Sequence, residues 1–448
     1  MHNISIFGTS SDAGKSTITF VVAKILQDLG FRVAPFKAQN VSNNAVACDD
    51  GSEIAVAQYF QAEVLGLRPT YQMNPVLLKS GRKSSASLIV NGKVVETKDV
   101  REYYRDLDRL KPIVEKAYRY LDARYDCVVS EGAGSPVELN LMDKDLSNIH
   151  IAKTFKTKII LVADIEKGGV FASIWGVYNL LPSALRENVI GVIINKFRGD
   201  LSLFDAGIEI IEQEFGIPVL GVLPYRVFNL GFEDSQSLMN YQQPTKVGAK
   251  RVGIIAYPTM SNYNDFEPLI ADESMMVEFI RHNVLLEPFD LIILPGSKLV
   301  MEDLAWLKDS GLFEQLQQRR GEILGICGGF EMMFERIIDH AMVESPHPME
   351  VEGLGLVDDV IVFEPQKVVR RGRYWLFGRE IEGFEIHHGV SQRYPLVFER
   401  GNVRGTFVHG MFNDQLFFAY KERTIQAFVQ EMKSRLDVAQ LLKSLTEG

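Results

Sequence analysis

Two segments of the sequence have residue types and spacings typical of chemical sites, one for binding phosphate and one for a cysteine nucleophile. The first is the glycine-rich run Gly8-Thr-Ser-Ser-Asp-Ala-Gly-Lys-Ser-Thr17, between a strand pattern at Ile4–Phe7 and a helical pattern at Lys15–Leu29. Glycines let backbone N–H groups turn inward around a phosphate, and the start of a helix adds its positive dipole end. The sequence therefore predicts a phosphate loop, although five residues rather than the usual four separate Gly8 from Gly14.

The phosphate loop predicts a role for each of its polar residues. Lys15 is expected to meet the β- and γ-phosphates of ATP, and the Ser16 hydroxyl is expected to face Mg²⁺. The residues predicted to bind the nucleotide are Gly8, Thr9, Ser11, Gly14, Lys15, Ser16 and Thr17. The alternative is a helix-capping turn with no ligand.

Charged residues after other strand patterns are candidates for the same site. Glu131 follows the strand pattern Asp126–Ser130, at the carboxyl end where α/β sheets place ligands, and a carboxylate suits Mg²⁺. Asp50 and Glu53 are further metal candidates with less support. Lys37, after the strand-like run Arg32–Phe36, could bring a second cation to the phosphates; taken alone it is typical of a surface lysine.

The second chemical segment is Gly325-Ile-Cys-Gly-Gly329, at the end of an apolar strand pattern and before a helical one. It is the cysteine counterpart of the nucleophile elbow, in which small residues permit a strained turn that lifts the nucleophile clear of the sheet. A helix start favours the thiolate of Cys327. The N–H of Gly328 is expected beside the developing oxyanion, with a second donor from the turn at Gly296.

A cysteine nucleophile needs a base, and the chain has eight histidines. His409 ends an apolar strand pattern next to Gly410, where it can reach a site at the edge of a sheet. His387 and His388 are rivals for the role. We predict that Cys327 and His409 form the catalytic pair.

Composition limits the class of protein. The 448 residues are 46% hydrophobic and 24% charged, with a net charge of −10, which excludes collagen and coiled coils and argues against general nucleic-acid binding. Three cysteines are too few and too scattered for a disulfide framework or a zinc site. The sequence shows no signal-peptide pattern and no apolar run long enough for a membrane span, so a cytoplasmic protein is expected.

Strand and helix patterns alternate along most of the chain, which predicts an α/β fold with parallel sheets. The polar stretch Asp234–Lys250 breaks this alternation. We predict an ATP-dependent synthetase domain at residues 1–235, a linker at 236–250 and a second α/β domain at 251–448.

The chain resembles the cobyric acid synthases, glutamine-dependent amidotransferases of cobalamin biosynthesis, over nearly its whole length. The motifs that carry the resemblance lie in both halves: Gly8–Ser16, Phe36–Asn40, Asp50–Glu53, Met73–Lys79, Glu131–Leu141, Gly168–Ala172, Asn195–Asp200, Ser261–Phe266, Leu294–Lys298, Met301–Leu304, the Cys327 elbow, Gly383–Gly389 and Gly405–Phe412.

The resemblance implies a P-loop parallel-sheet domain similar to dethiobiotin synthetase, followed by a class I glutamine amidotransferase domain with a flavodoxin-like α/β fold. It implies ATP, Mg²⁺ and L-glutamine as nitrogen donor. The implied reaction amidates the b, d, e and g carboxylates of adenosylcobyrinic acid a,c-diamide through acyl phosphates. In roles carried over by position, Lys15 and Lys37 meet phosphate, Ser16 and Glu131 hold Mg²⁺ with Asp50 as a second carboxylate, and Cys327 and His409 form the glutaminase pair.

Two departures from the family pattern stand out. Class I glutaminases generally carry His-x-Glu, but Gly410 and Met411 follow His409, so the sequence identifies no third member of the triad. The segment Lys79–Ser87 also differs, at a place implied to touch the corrin, which leaves substrate preference open.

Three alternatives remain open. One is a cobyrinic acid a,c-diamide synthase of identical architecture, and another is a cell-wall amidotransferase. The third is a P-loop ATPase whose glutaminase-like domain only binds. The expected partner is a corrinoid small molecule, with no nucleic acid and no membrane, and homo-oligomer formation is left open.

Overall fold

The computed structural model describes residues 1–80, 85–228, 230–231 and 248–446. A six-stranded parallel sheet forms the centre of the first half of the chain. The strands of this half are β1 (Ile4–Gly8), β2 (Val33–Phe36), β3 (Gln39–Val41), β4 (Ala45–Ala47), β5 (Glu53–Ala55), β6 (Val76–Ser80), β7 (Ser85–Val90), β8 (Lys93–Asp99), β9 (Cys127–Glu131), β10 (Lys158–Asp164), β11 (Val189–Phe197) and β12 (Val219–Pro224). The parallel sheet has the order β12-β11-β10-β1-β9-β2, so β1 lies at its centre and its carboxyl end meets those of β9 and β10.

Helices follow the strands as the sequence pattern predicts. They are α1 (Lys15–Asp28), α2 (Val56–Val64), α3 (Val100–Arg105), α4 (Lys111–Asp122), α5 (Ile149–Phe155), α6 (Val170–Leu180), α7 (Ser183–Arg186) and α8 (Asp205–Glu214). The helix expected from Leu107 begins instead as a 3₁₀ turn at Leu107–Leu110. Pro112 then occupies the first turn of α4, where a missing N–H costs no hydrogen bond.

A second, mostly parallel sheet organises the other half. Its strands are β13 (Lys250–Ile255), β14 (Met260–Ser261), β15 (Met275–Ile280), β16 (Leu291–Leu294), β17 (Gly296–Ser297), β18 (Glu322–Ile326), β19 (Phe334–Asp339), β20 (Met349–Glu352), β21 (Val357–Leu376), β22 (Arg379–Val390), β23 (Val397–Arg400), β24 (Val403–Thr406) and β25 (Val408–His409). The helices are α9 (Glu267–Ala271), α10 (Val300–Asp309), α11 (Leu312–Gln318), α12 (Gly328–Glu331), α13 (Gln415–Lys433) and α14 (Val438–Thr446). The order β15-β13-β16-β18-β24-β23 places β18, which precedes Cys327, beside β24, which precedes His409.

The described residues also form four smaller sheets that were not expected from the sequence, two of which are the two-stranded pairs β4–β5 and β14–β17. The other two are larger. One has the order β3-β6-β7-β8 and the other β20-β19-β21-β22-β25. Many residues of the long β21–β22 hairpin are exposed or half-buried, and its arginines interrupt any apolar run. The strand signal used for buried parallel strands therefore does not detect it.

The last two helices pack against the first half of the chain. Phe417, Val429 and Leu445 join the core that surrounds β1 and α1, and the His2 N–H donates a hydrogen bond to the Leu445 carbonyl. Residues 232–247, which include most of the predicted linker, lie outside the described residues, so the boundaries at 235 and 250 stay a prediction. Among the described residues, no helix is long and apolar enough to cross a membrane.

A buried ion cluster joins the two halves at Glu53. Its carboxylate accepts hydrogen bonds from Lys79 Nζ at 2.7 Å and, from the other half of the chain, Lys367 Nζ at 2.9 Å. Burial opposes the charge of Glu53, but the two ammonium groups outweigh it and lower the pKa of this carboxyl to about 2. The cluster thereby holds the hairpin β4–β5 against β21.

Replacing Glu53 with Gln should destabilise the protein strongly. The change leaves the buried ammonium group of Lys79 and the half-buried one of Lys367 without their counter-charge, a loss of about 3–5 kcal/mol in unfolding free energy. Because the folded pKa of Glu53 is depressed, its contribution is present above the unfolded value of about 4.5 and is lost as the pH falls toward about 2. Urea denaturation of the wild type and variant at neutral and acid pH measures both effects. Glu431→Gln, which breaks the exposed pair with Arg226, should cost less than about 1 kcal/mol. Equal losses in the two variants would contradict this account.

Candidate active sites

The phosphate loop leaves β1 at Gly8 and closes on the first turn of α1. Gly14 caps α1 with φ at 94°, and a Cβ there would lie 2.2 Å from Nδ2 of Asn195. Only glycine fits this left-handed backbone and close approach. Lys15 Nζ reaches back to the Ser10 carbonyl at 3.2 Å, so the loop wraps around the ammonium group that is predicted to meet phosphate.

Glu131, at the end of β9, is the centre of the polar cluster beside the loop. It is 1% exposed, and its Oε1 accepts hydrogen bonds from Ser16 Oγ at 2.7 Å and Lys37 Nζ at 2.8 Å. Its Oε2 accepts from Gln61 Nε2 at 2.8 Å. The structure therefore brings together three residues that the sequence analysis selected separately: Ser16, Lys37 and Glu131.

A cleft of about 760 Å³ opens over this cluster. The predicted residues that line it are Ser11, Gly14, Lys15, Ser16, Thr17, Lys37 and Glu131. The predicted residues Gly8 and Thr9 do not line the cleft, and the Thr9 N–H donates to the Val162 carbonyl at 2.9 Å. Lys196 and Arg226 also line the cleft, together with the acids Asp12, Glu131 and Glu166. Its walls therefore carry charges of both signs, and the cations among them suit phosphate groups.

Asp50 lies elsewhere. It is exposed at the tip of the β4–β5 hairpin, its carboxylate accepts hydrogen bonds from the N–H and Oγ of Ser52, and it does not line the cleft. The neighbouring Asp49 lies 3.7 Å from Arg371 in the other half of the chain. The structure thus leaves Ser16 and Glu131 together and Asp50 apart from them.

Two residues of the Asn195–Asp200 motif, to which the sequence analysis gave no role, hold the loop. Asn195 Nδ2 donates to the Ala13 carbonyl at 2.9 Å, and Lys196 Nζ donates to the Asp12 carbonyl at 2.6 Å and pairs with Asp164 at 3.0 Å. Both lie near the end of β11, on the edge of the sheet where β1 and β9 also end. Two features of the sequence could have identified them: their place in that motif and their position at the carboxyl end of a predicted strand.

Cys327 has the elbow geometry that the glycine frame predicts. Its φ of 51° is in the left-handed region, and its N–H donates to the Thr406 carbonyl at 2.8 Å. A Cβ at Gly329 would lie 1.9 Å from the Leu294 carbonyl oxygen, and one at Gly325 would lie 2.3 Å from Met333 Sδ. The flanking glycines are thus required for the turn that presents the sulfur.

His409 is held by Asp265, an acid to which the sequence analysis gave no role. Its Nδ1 donates to Asp265 Oδ2 at 2.6 Å, and the Gly410 N–H donates to Asp265 Oδ1 at 2.9 Å. Asp265 lies 144 residues before His409, so the usual His-x-Glu spacing cannot reveal it. Its position in the Ser261–Phe266 motif was the only available signal.

The charges around His409 favour its protonated form. Burial opposes that charge, but Asp265 and the sulfur of Cys327 outweigh it and raise the pKa of His409 to about 10. The imidazole Nε2 is buried, and interaction with the Cys327 side chain contributes to the raised pKa. This arrangement suits a proton donor to a leaving amine.

The predicted oxyanion residues lie beside the pair. A Cβ on Gly296 would lie 3.2 Å from His409 Cε1, and one on Gly328 would lie 2.7 Å from the Ser297 nitrogen. The rival histidines are engaged elsewhere. His387 bonds to the Gly389 carbonyl and Glu385, while burial lowers the pKa of His388 to about 4 and its Nδ1 bonds to the Glu364 carbonyl.

Asp265→Asn should slow glutamine hydrolysis by about two orders of magnitude or more, because an amide neither fixes the His409 tautomer nor stabilises the imidazolium. Loss of the carboxylate should also lower the pKa of His409 from its raised value of about 10. The alkaline limb of the glutaminase pH profile should then move to lower pH, which a rate measurement across pH detects.

Asp309→Asn is the control for the Asp265 variant, because Asp309 is an exposed acid at the end of α10. It should leave both the rate and the profile unchanged. An Asp265→Asn enzyme with the wild-type alkaline limb would show that Asp265 does not set the pKa of His409.

Comparison with known proteins agrees with this two-site architecture. Residues 4–231 match the CobQ/CobB/MinD/ParA nucleotide binding domain, and residues 251–417 match the CobB/CobQ-like glutamine amidotransferase domain. A cobyric acid synthase of Acinetobacter baylyi is 60% identical over 464 aligned positions that cover 100% of both chains. A probable cobyric acid synthase of Picrophilus torridus is 40% identical over 94% of this chain and 92% of its own. A cobyric acid synthase of Listeria innocua is 39% identical over 93% of this chain and 86% of its own. The chain therefore belongs to the cobyric acid synthase family, with a nucleotide-binding domain followed by a glutamine amidotransferase domain.

Proposed function

We propose that the two sites act in sequence on one corrinoid substrate. As a member of its family, the chain is a glutamine amidotransferase that amidates carboxylates of cobyrinic acid diamide. We propose specifically that the substrate is adenosylcobyrinic acid a,c-diamide and that its b, d, e and g carboxylates become amides, which gives adenosylcobyric acid. The observation that carries the proposal is the presence in one chain of the Ser16–Lys37–Glu131 cluster and the Cys327–His409–Asp265 triad.

The glutaminase step follows from the triad. The Cys327 thiolate attacks the side-chain amide carbonyl of glutamine, and the N–H groups at Gly296 and Gly328 stabilise the oxyanion. His409 then gives its proton to the leaving nitrogen, which departs as ammonia and leaves a thioester. Water then gives a proton to the neutral His409 and its oxygen attacks the thioester carbonyl, so glutamate forms and Cys327 leaves as the thiolate beside a protonated His409.

The synthetase step needs an activated carboxylate, because ammonia does not displace oxide from a carboxylate. A substrate carboxylate oxygen attacks the γ-phosphorus of ATP, and ADP leaves. Lys15 and Lys37 offset the negative charge on the phosphates during transfer. Ammonia then attacks the acyl phosphate carbonyl, inorganic phosphate leaves, and the amide remains.

Mg²⁺ fits the same cluster. Ser16 Oγ and the Glu131 carboxylate are oxygen ligands of the kind that Mg²⁺ prefers, and the buried Oε1 of Gln61 beside them has no hydrogen-bond partner among the described residues. In the described part of the chain, no group of three or more His, Cys, Asp or Glu could hold a metal alone. The ion would therefore bind together with ATP, whose phosphate oxygens complete its ligands, and it would offset phosphate charge.

The cellular setting and the corrin contacts belong to the same proposal. We place the enzyme in the cytoplasm, where ATP and glutamine are available. Residues 81–84, within the divergent segment Lys79–Ser87, lie outside the described residues.

Substrate choice tests the proposed function against its nearest alternative. Purified protein with ATP, Mg²⁺ and glutamine should convert adenosylcobyrinic acid a,c-diamide and leave the a and c positions of cobyrinic acid unamidated. Chromatography with mass detection identifies the products. Preferential formation of the a,c-diamide from cobyrinic acid would favour the a,c-diamide synthase instead.

A further inference from the structure

The turn Leu294–Lys298 carries Gly296, one of the two proposed oxyanion donors, and lies against the cysteine elbow. A Cβ on Gly328, the other proposed donor, would lie 2.7 Å from the Ser297 nitrogen and 2.8 Å from Ser297 Cβ. The two backbone segments are therefore in close contact, and the separation of their N–H groups depends on where the turn lies. Oxyanion donors act only when they are held at the position where negative charge develops.

Asp303, an acid in the first turn of α10, binds this turn through its side chain. It is 0% exposed, and its Oδ2 accepts hydrogen bonds from Ser297 Oγ at 2.6 Å and from Thr259 Oγ1 at 2.7 Å. Its Oδ1 accepts from the Thr259 N–H at 3.0 Å. Three donors thus converge on one carboxylate, which belongs to the Met301–Leu304 motif and has no role in the steps proposed above.

Thr259 extends this network to both sides of the turn. Its Oγ1 accepts a hydrogen bond from the Leu299 N–H at 2.9 Å, and its carbonyl accepts one from the Lys298 N–H at 2.9 Å. Directly after Thr259, β14 pairs with β17, with Ser261 opposite Gly296. A shift of Thr259 would therefore move the backbone on which Gly296 lies.

The charge state of Asp303 suits this role. Burial raises the pKa of its carboxyl to about 6, and the hydrogen bonds from Ser297 and Thr259 act in the opposite direction. The group is therefore mainly ionised at neutral pH, and an ionised carboxylate only accepts hydrogen bonds. An amide in its place could not accept from all three donors, because its NH₂ group donates.

We propose that Asp303 is a positioning residue for glutamine hydrolysis. Through Ser297 and Thr259 it fixes the turn Leu294–Lys298 against the cysteine elbow, so that the two oxyanion N–H groups converge on one position. This assignment rests on the proposed glutaminase step, in which those N–H groups stabilise the oxyanion. Asp303 acts through the turn and does not itself meet glutamine.

Asp303→Asn tests this role by separating kcat from KM. It should lower kcat for glutamate release about tenfold or more and change KM for glutamine less than about twofold, because misplaced oxyanion donors weaken binding of the transition state and not of the substrate. Alkylation of Cys327 by iodoacetamide should keep its wild-type rate, since displacement of iodide at a methylene carbon forms no oxyanion. Peptide mass mapping identifies the alkylated cysteine.

Variants of Thr259 provide the same test if Asp303→Asn does not fold. Thr259→Val removes the hydroxyl at nearly constant shape and should lower kcat about fivefold, whereas Thr259→Ser keeps the hydroxyl and should stay within about twofold of the wild type. Thr157→Val is the matched control. The buried Thr157 hydroxyl bonds to Ser5 Oγ at 2.7 Å in the first half of the chain, so its loss should leave kcat unchanged.

The outcomes separate the positioning role from the proposed function. A folded Asp303→Asn enzyme with the wild-type kcat would overturn the positioning role alone. Equal losses of hydrolysis and of Cys327 alkylation would also overturn it, because they would show general damage to the elbow. A wild-type enzyme that releases no glutamate would overturn the proposed glutaminase step, and the role of Asp303 with it.

Discussion

Cys327→Ser is expected to abolish glutamine-dependent amidation, because a hydroxyl in the same position is a far weaker nucleophile than a thiolate. The loss should reach about four orders of magnitude or more in glutamate release, the size found when a catalytic nucleophile is removed. Amidation from ammonium chloride should persist at the wild-type level, since the Ser16–Lys37–Glu131 cluster is untouched. Glutamate release and amide formation are measured on the same sample.

Cys127→Ser is the matched control for the nucleophile. Cys127 is also a buried free thiol, but it lies on β9 with its sulfur 3.5 Å from the His2 carbonyl. It should keep glutamine-dependent activity. If Cys327→Ser hydrolysed glutamine at the wild-type rate, the nucleophile assignment would be wrong.

Lys15→Ala should have the complementary effect. Removal of the ammonium group from the phosphate loop leaves the transferred phosphoryl charge uncompensated, which should slow amidation by about two to three orders of magnitude with either nitrogen donor. Glutamate release should continue, because the triad does not include Lys15. ADP production, amide formation and glutamate release together define this pattern.

Lys24→Ala serves as the control for Lys15. Lys24 lies on the same helix, but its ammonium group pairs with Asp28 at 2.9 Å and does not line the cleft. It should keep all three activities. Equal losses from Lys15→Ala and Lys24→Ala would point to damage to α1 instead of to loss of phosphate binding.

Short sequence motifs predicted those residues of each site that come directly after a buried strand. Gly14, Lys15 and Cys327 belong to strand-turn-helix segments whose glycines constrain the backbone, and the structure has the expected turns there. Glu131 could be placed because it ends a strand next to β1 in the parallel sheet. These features depend on contacts close in the chain or on a regular sheet.

Long-range pairing could not be predicted in the same way. Asp265 meets His409 only because β14 and β17 bring the Ser261 region to the end of the second sheet. Asp50, an acid in a polar turn, belongs to a hairpin whose position depends on the β21–β22 hairpin of the other half. Such contacts depend on tertiary packing, which a single sequence does not encode in any short pattern.

The transfer of the glutamine amide nitrogen to the corrin is the central claim, and mass spectrometry tests it most directly. Adenosylcobyrinic acid a,c-diamide would be incubated with the protein, ATP, Mg²⁺ and glutamine carrying heavy nitrogen in its side-chain amide. The expected result is four successive replacements of OH by labelled NH₂, and none when ATP is withheld. A corrinoid of unchanged mass, or one whose new amides carry no label, would contradict it.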